Sequence, residues 1–316
     1  MLRLLFTGGT ISMRRDAAAG GNVPAHGGEA LLALAPGLRD VAACTVEDWA
    51  RSPACHFGPA DLWALRERVR AIAERGEADG VVITHGTDLL EETAYLLART
   101  LDTPVPVVIT GAMRTADDPE WDGARNLVDA ARVAAFPMSR DRGALVVFAG
   151  SIWAGLEAVK VNALTLHAFG APHGTQVGRV EASRVTYVLP PSARAVARPA
   201  ALVSRVALVA AVPGDDGATL DLLRPTHDGV VLVAFGSGNA PPGLVPAVGR
   251  WIEEGKPVVL ATRCAAGEVT PLYAFDGGGA QLVRLGAVPA GPRTAWQARM
   301  ELSIALSAGV AYGAGT

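Results

Sequence analysis

Short apolar, β-branched runs alternate with longer stretches of helical periodicity along most of this 316-residue chain. That alternation constrains the fold more than any other feature. Strands buried on both faces and joined by helices form a parallel sheet built from βαβ units. The predicted strands are Leu2–Phe6, Gly80–Thr84, Val105–Thr110, Ala144–Ala149, Arg205–Val212, Gly229–Ala234 and Pro257–Ala261. Helices are expected over Pro59–Arg75, Leu89–Leu101, Gly123–Ala135 and Leu244–Glu254. A proline-rich stretch without periodicity, from Leu189-Pro190-Pro191 to Arg198-Pro199, reads as a linker. The expected organisation is therefore an α/β chain of two domains: a larger one over residues 1–188, a linker over 189–204 and a smaller α/β domain over 205–316.

Composition removes several classes of function. A net charge of −3 gives no electrostatic reason to expect nucleic acid or an anionic membrane as partner. Cys44, Cys55 and Cys264 are too few and too widely spaced for a disulfide framework or zinc knuckles, so free thiols in a cytoplasmic setting are expected. No apolar run reaches the ~18–20 residues of a membrane span. Residues Met1 to Phe6 run straight into a glycine turn and read as a first strand, not a signal segment. The six His show no ligand-like spacing, so no metal is expected. Of the 28 basic residues only Lys160 and Lys256 are lysine.

Ligands of open α/β sheets bind beyond the carboxyl ends of the strands, which directs attention to the strand-end loops. The first strand runs into Thr7-Gly8-Gly9-Thr10-Ile11. Its glycines allow a sharp turn and close approach to a ligand, but it is not a GxGxxG fingerprint, and no GxxxxGK[ST] occurs in the chain. The second predicted strand runs into Thr84-His85-Gly86-Thr87-Asp88. Asp88, with Glu91 three residues on, fits a helix capping box. The same position also suits stabilisation of a developing oxyanion. A third strand ends in Gly111-Ala112-Met113-Arg114. A Thr hydroxyl is a poor nucleophile without a base. No Ser-His-Asp arrangement is evident, and His85 in a strand-end turn reads as structural. The remaining candidate is a lysine able to give up its proton. Lys256 reads as an exposed turn residue, whereas Lys160 lies in an apolar stretch. Arginine could not replace it, because guanidinium stays protonated.

Taken together these residues resemble the bacterial-type L-asparaginases, the asparaginase/glutaminase family of threonine amidohydrolases. The match consists of Thr7 to Ile11, Thr84 to Asp88 followed by Glu91-Glu92-Thr93-Ala94-Tyr95, Val108 to Arg114, Asp122-Gly123 with Asn126-Leu127, Lys160, and Gly236-Ser237-Gly238-Asn239, in the family's order. The resemblance implies a flavodoxin-like N-terminal domain, a smaller C-terminal domain and no cofactor. It implies Thr10 as nucleophile, with Thr87, Asp88 and Lys160 as a second catalytic group. Asp88 would also bind the substrate ammonium. The Thr87 N–H and the Ala112 carbonyl would hold the amide, with Gly9 and Gly86 lining the site. Asn239 would reach the site of a neighbouring subunit in a homodimer or homotetramer.

Two departures stand out. The family carries a Tyr in the mobile loop after the first motif, and residues 12–28 contain none. Asn22 aligns there, with His26 and Arg14 as possible helpers. Where the family binds the substrate carboxylate, this chain has Ser52-Pro53-Ala54-Cys55, so Ser52 and Cys55 are the candidates. Glu268 and Asp276 are candidates for an acid supplied by an adjacent subunit. The expected reaction is hydrolysis of L-asparagine to L-aspartate and ammonia. The alternatives are the same chemistry on L-glutamine, D-asparagine or a substituted asparagine, or a ligand-binding homologue with little turnover.

Overall fold

The computed structural model describes residues 1–192 and 195–313. Two compact units emerge, Met1–Val196 and Ala197–Thr316. The division falls within the expected linker 189–204, of which residues 193–194 lie outside the described part, as do residues 314–316 of the expected second domain.

The first unit contains strands β1 (Leu2–Phe6), β2 (Met13–Asp16), β3 (Gly21–Pro24), β4 (Cys44–Asp48), β5 (Gly80–Thr84), β6 (Val107–Thr110), β7 (Ala144–Phe148), β8 (Ser151–Ala154), β9 (Val159–Lys160), β10 (Phe169–Gly170), β11 (Gly178–Glu181) and β12 (Arg184–Tyr187). Its helices are α1 (Gly28–Leu34), α2 (Pro59–Glu74), α3 (Leu90–Thr100) and α4 (Gly123–Ala135). One sheet has the order β12-β11-β8-β7-β6-β5-β1-β4. From β7 to β4 every pairing is parallel. Counted along the chain, these parallel strands lie in the order second, first, third, fourth, fifth, which is the flavodoxin-like arrangement. The connection reverses direction between β1 and β5, and a ligand crevice is expected at their carboxyl ends.

The residue alternation explains the layers. Leu5, Ile83, Ile109 and Val146 face α2 and α3, meeting Leu65, Val69, Leu90 and Leu97. Leu4, Val82, Val108 and Val147 face the other way, toward Leu31 of α1 and Leu127 and Ala131 of α4. Strands β5, β6 and β7 are buried at every residue, which is why they read as unbroken apolar runs.

The parallel sheet carries an antiparallel extension at one edge. The predicted strand to Ala149 stops at Phe148, because Ala149 (φ 49°) and Gly150 (φ 80°) turn the chain back into the antiparallel β8. A second such turn, Ala182 (φ 45°) and Ser183 (φ 70°), joins β11 to β12. Two consecutive positive φ values are the geometry of a type I′ hairpin. The strand expected from Val105 begins at Val107.

The second unit has β13 (Val206–Ala210), β14 (Gly229–Ala234), β15 (Val258–Thr262) and β16 (Val288–Pro289), paired in parallel and in chain order. Its helices are α5 (Ala218–Leu223), α6 (Leu244–Glu253), α7 (Gly279–Leu285) and α8 (Ala295–Ser307). One face packs on Leu220, Trp251 and Leu282 of α5, α6 and α7. The other packs on Ala298 and Leu302 of α8. Trp251 is fully buried and donates its indole N–H to the Leu220 carbonyl at 3.0 Å. Lys256 is not the exposed turn residue the sequence suggests but is half-buried. Its Nζ donates to the Arg224 carbonyl at 2.5 Å and stands 5.9 Å from the Trp251 ring centre. Among the described residues no helix is long and apolar enough to cross a membrane.

Candidate active site

The strand ends are tied together by their own threonine hydroxyls. The Thr7 hydroxyl donates to the Thr84 carbonyl at 2.8 Å, and Thr110 donates to Val147 across to β7 at 2.7 Å. These threonines hold the sheet's carboxyl edge. Glycines then let the loops meet backbone to backbone. Gly8 lies on Ser52, Gly9 on Gly86, Gly86 on Ala54, and Gly111 on the His85 carbonyl, with no room for a Cβ at any of them. Thr10 and Thr87 each follow one residue after the Gly9–Gly86 contact. The β1 and β5 loops thus place both threonines at the carboxyl ends of these two strands, beside the reversal point.

Lys160 comes to the same place from β9, which pairs antiparallel with β10. Its Nζ donates to Thr87 Oγ1 and to Asp88 Oδ1, both at 2.9 Å. Thr87 is buried, whereas the Asp88 side chain is 68% exposed. The capping-box reading of Asp88 fails. Helix α3 starts at Leu90, its cap is Leu89, and no side chain caps it. Glu91, the other half of the expected box, turns to Lys160 instead and accepts its backbone N–H at 2.5 Å. Burial pushes the Glu91 carboxyl up to about 7, opposed by that N–H. Sequence reasoning missed this residue, although a signal was present. Positions 91, 94, 95 and 98 share one helix face, and Ala94, Tyr95 and Ala98 make that face apolar and buried.

His85 is structural, as its setting suggests. Its ring contacts the Gly86 carbonyl at 2.8 Å and the Thr93 hydroxyl at 3.1 Å, and packs edge-on to Phe57. A carbonyl only accepts, so Nδ1 carries the proton and Nε2 accepts from Thr93. Burial lowers its pKa to about 4, so it stays neutral near pH 7.

Two family models cover the chain. The asparaginase N-terminal model matches residues 1–193 and the glutaminase/asparaginase C-terminal model matches residues 205–312. The chain belongs to the asparaginase family. It is 40% identical to a probable L-asparaginase of Deinococcus radiodurans, over 98% of this chain and 93% of that protein. It is 28% identical to L-asparaginase 2 of Escherichia coli, over 97% of this chain and 88% of that one. A crystal structure of a probable cytoplasmic L-asparaginase from Campylobacter jejuni superposes with a TM-score of 0.85 at 26% identity, covering 97% of this chain and 94% of that one. Family and relatives indicate an amidohydrolase acting on a small amide.

In this asparaginase-family chain the loop carrying Ala112 is braced from below. Asp122 accepts the backbone N–H of Met113 and Arg114, and the Asn126 amide bridges Gly111 and Ala149. Ala112 itself is buried. Ser52 is half-buried with its backbone against Gly8, and Cys55 is exposed in the short turn Ala54–His56. The segment after the first motif forms the β2–β3 hairpin. It is docked by Arg15 N–H on Asp117 and Ala116 N–H on the Met13 carbonyl. Asn22 is exposed, pairs across the hairpin with Arg15, and lines a cavity of about 340 Å³ with Met113 and Arg114. His26 donates its backbone N–H to Ser12, and Arg14 pairs with Asp16. Asn239 lies in the second unit, where its side-chain oxygen accepts the Gly279 N–H at the start of α7. Glu268 and Asp276 are exposed in that unit, and Asp276 accepts from Gln281.

Proposed function

We propose that this amidohydrolase converts L-asparagine to L-aspartate and ammonia. The Thr10 hydroxyl attacks the side-chain amide carbon, the C–N bond breaks, ammonia leaves with the hydroxyl proton, and an acyl-Thr10 ester remains. Water then attacks that ester, its proton returns to Thr10, and aspartate departs. Thr87 relays the proton because Lys160 holds its hydroxyl, while Asp88 orients Lys160 and offers its exposed carboxylate to the substrate ammonium. The Thr87 N–H and the Ala112 carbonyl hold the amide, between the backbones of Gly9 and Gly86. The observation that carries this reading is Lys160 Nζ at 2.9 Å from both Thr87 and Asp88, a group with one hydroxyl, one base and one acid in contact.

The test is ammonia release from L-asparagine and L-glutamine between about pH 6 and 9. Turnover that vanishes in Thr10→Ala supports the reading; no release above that variant overturns it for these substrates. A second reading, hydrolysis of D-asparagine or a substituted asparagine, is favoured by Ala54, whose methyl packs onto Gly86 and offers no hydroxyl to a carboxylate. An amide panel with free L-asparagine clearly ahead removes it. Ser52 and Cys55 are the remaining carboxylate ligands on this side, and Asn22 or His26 takes the hairpin role of the family's Tyr. We further propose a cytoplasmic homodimer or homotetramer in which Asn239 serves a neighbour's site.

A further inference from the structure

Lys160 sits on a strand of only two residues, and the chain around it is thinly supported. The cross-strand bond next to it runs from the Val161 N–H to the Ala168 carbonyl, and Val161 and Leu164 are exposed. The Lys160 N–H itself goes to a side chain 69 positions away in sequence, the Glu91 carboxylate. Glu91 belongs to the same turn-and-helix segment as Thr87 and Asp88, which hold the other end of Lys160. One rigid segment therefore grips this lysine twice, by its backbone and by its ammonium nitrogen. Glu91 is 7% exposed on a helix face that otherwise packs carbon. A carboxyl costs free energy in such a place unless a partner holds it. Glu91 lies in the first turn of α3, where an acid suits the helix dipole, but Glu92 beside it serves that purpose from a more exposed position, and Glu91 caps no helix N–H.

We propose that Glu91 is a positioning residue for the reaction: its buried carboxyl anchors the Lys160 backbone and thereby fixes the ammonium nitrogen on Thr87 and Asp88. It touches no substrate and acts only through Lys160. The proposal rests on the reading of Lys160 given above, so its test needs a readout that does not require turnover.

The composition supplies one. Lysine labelled with ¹³C at Cε gives signals from Lys160 and Lys256 alone, and Lys160→Arg assigns them. Glu91→Met keeps length and volume but removes the acceptor, whereas Glu91→Gln keeps an oxygen that accepts the N–H. Glu91→Met is expected to shift the Lys160 signal while the Lys256 signal stays, and to lower kcat by roughly tenfold or more with KM nearly unchanged, as misplacement of a reacting group does. Glu91→Gln is expected to restore the Lys160 signal and recover most of the lost kcat. If Glu91→Met does not fold, Glu91→Gln against wild type carries the test, with the Lys160 signal required to stay in place. A Lys160 signal unmoved in Glu91→Met, or displaced in Glu91→Gln, overturns the proposal. A signal that behaves as expected in a protein with no amidase activity leaves the anchor standing and removes the proposed reaction instead.

Discussion

A Cβ placed on Gly9 would stand 2.5 Å from both the Cα and the N of Gly86. The first two strand-end loops are therefore in backbone contact one residue before each threonine. Gly9 also has φ +85° with ψ 178°, a region essentially open to glycine alone that costs other residues about 1–3 kcal/mol. Gly9→Ala is expected to push the loops apart, lowering stability by roughly 2 kcal/mol or more and turnover far more steeply than substrate affinity. Gly20→Ala is the comparison, since Gly20 has φ +71° with open space around it. It should cost only the backbone strain and leave kcat unchanged. Urea unfolding and steady-state kinetics on the two variants check this.

Lys160→Arg should keep the fold and lose the activity. Guanidinium can donate to both Thr87 and Asp88, yet it does not surrender a proton. Loss of a general base typically costs about 10²–10⁴ in rate. The variant should melt close to wild type while ammonia release falls by that order. Wild-type turnover in it would show that Lys160 is not the base.

Thr10→Ser should retain part of the activity, and Thr10→Ala none. Serine keeps the nucleophilic oxygen but lacks the methyl that restricts χ1. The loss in Thr10→Ser should fall on kcat and leave aspartate binding, measured by calorimetry, near wild type.

Two buried groups should pull stability in opposite directions across one shared window on the acid side of neutrality. His85 is held neutral down to about pH 4 in the folded chain, against 6.5 when unfolded. Its contribution is complete above pH 6.5 and drains away as the pH falls toward 4, by up to about 3 kcal/mol at 1.36 kcal/mol per pH unit. Glu91 runs the other way. Its pKa rises from 4.5 to about 7 on folding, so its contribution is present below pH 4.5 and is lost as the pH rises through 7. The two windows overlap between pH 4.5 and 6.5, so the slopes offset each other in the wild type; urea midpoints there should fall with rising pH in His85→Gln, where the Glu91 slope remains, and with falling pH in Glu91→Gln, where the His85 slope remains.

The β11–β12 turn offers a gain. Ala182 and Ser183 both hold positive φ without glycine or asparagine, a strain that Ser183→Gly should relieve by about 0.5–1 kcal/mol. The turn belongs to the sheet's edge hairpin, so the melting temperature should rise with kcat unchanged.

Sequence and structure agree where a residue's surroundings repeat with a simple period. Leu2–Phe6, Gly80–Thr84 and Gly229–Ala234 carry the same bounds in both, because central parallel strands are buried on both faces and read as nearly continuous apolar runs. The edge hairpin was not legible. Its turn, Ala182-Ser183, lacks the residues that usually mark positive φ, and its strands alternate over only four residues each, too few to stand out as a period. Strand β9 was hidden by its length, since two residues show no period. Glu91 was misread because the spacing from Asp88 satisfies a local rule, whereas its actual partner, Lys160, is a long-range contact that no window of sequence contains.

The proposed reactive residues Thr10, Thr87 and Lys160 are spread over 150 positions; Thr10 and Thr87 follow loops in backbone contact, and Lys160 bonds to Thr87. Closing such long loops is entropically costly and comes late when a chain folds. Thr10 and Thr87 are brought together by adjacent strands of the sheet's centre, while Lys160 waits for a short peripheral ladder to settle on α3. On refolding from urea, recovery of helical circular dichroism should therefore precede recovery of ammonia release. The interval between the two is a clock for the arrival of one lysine.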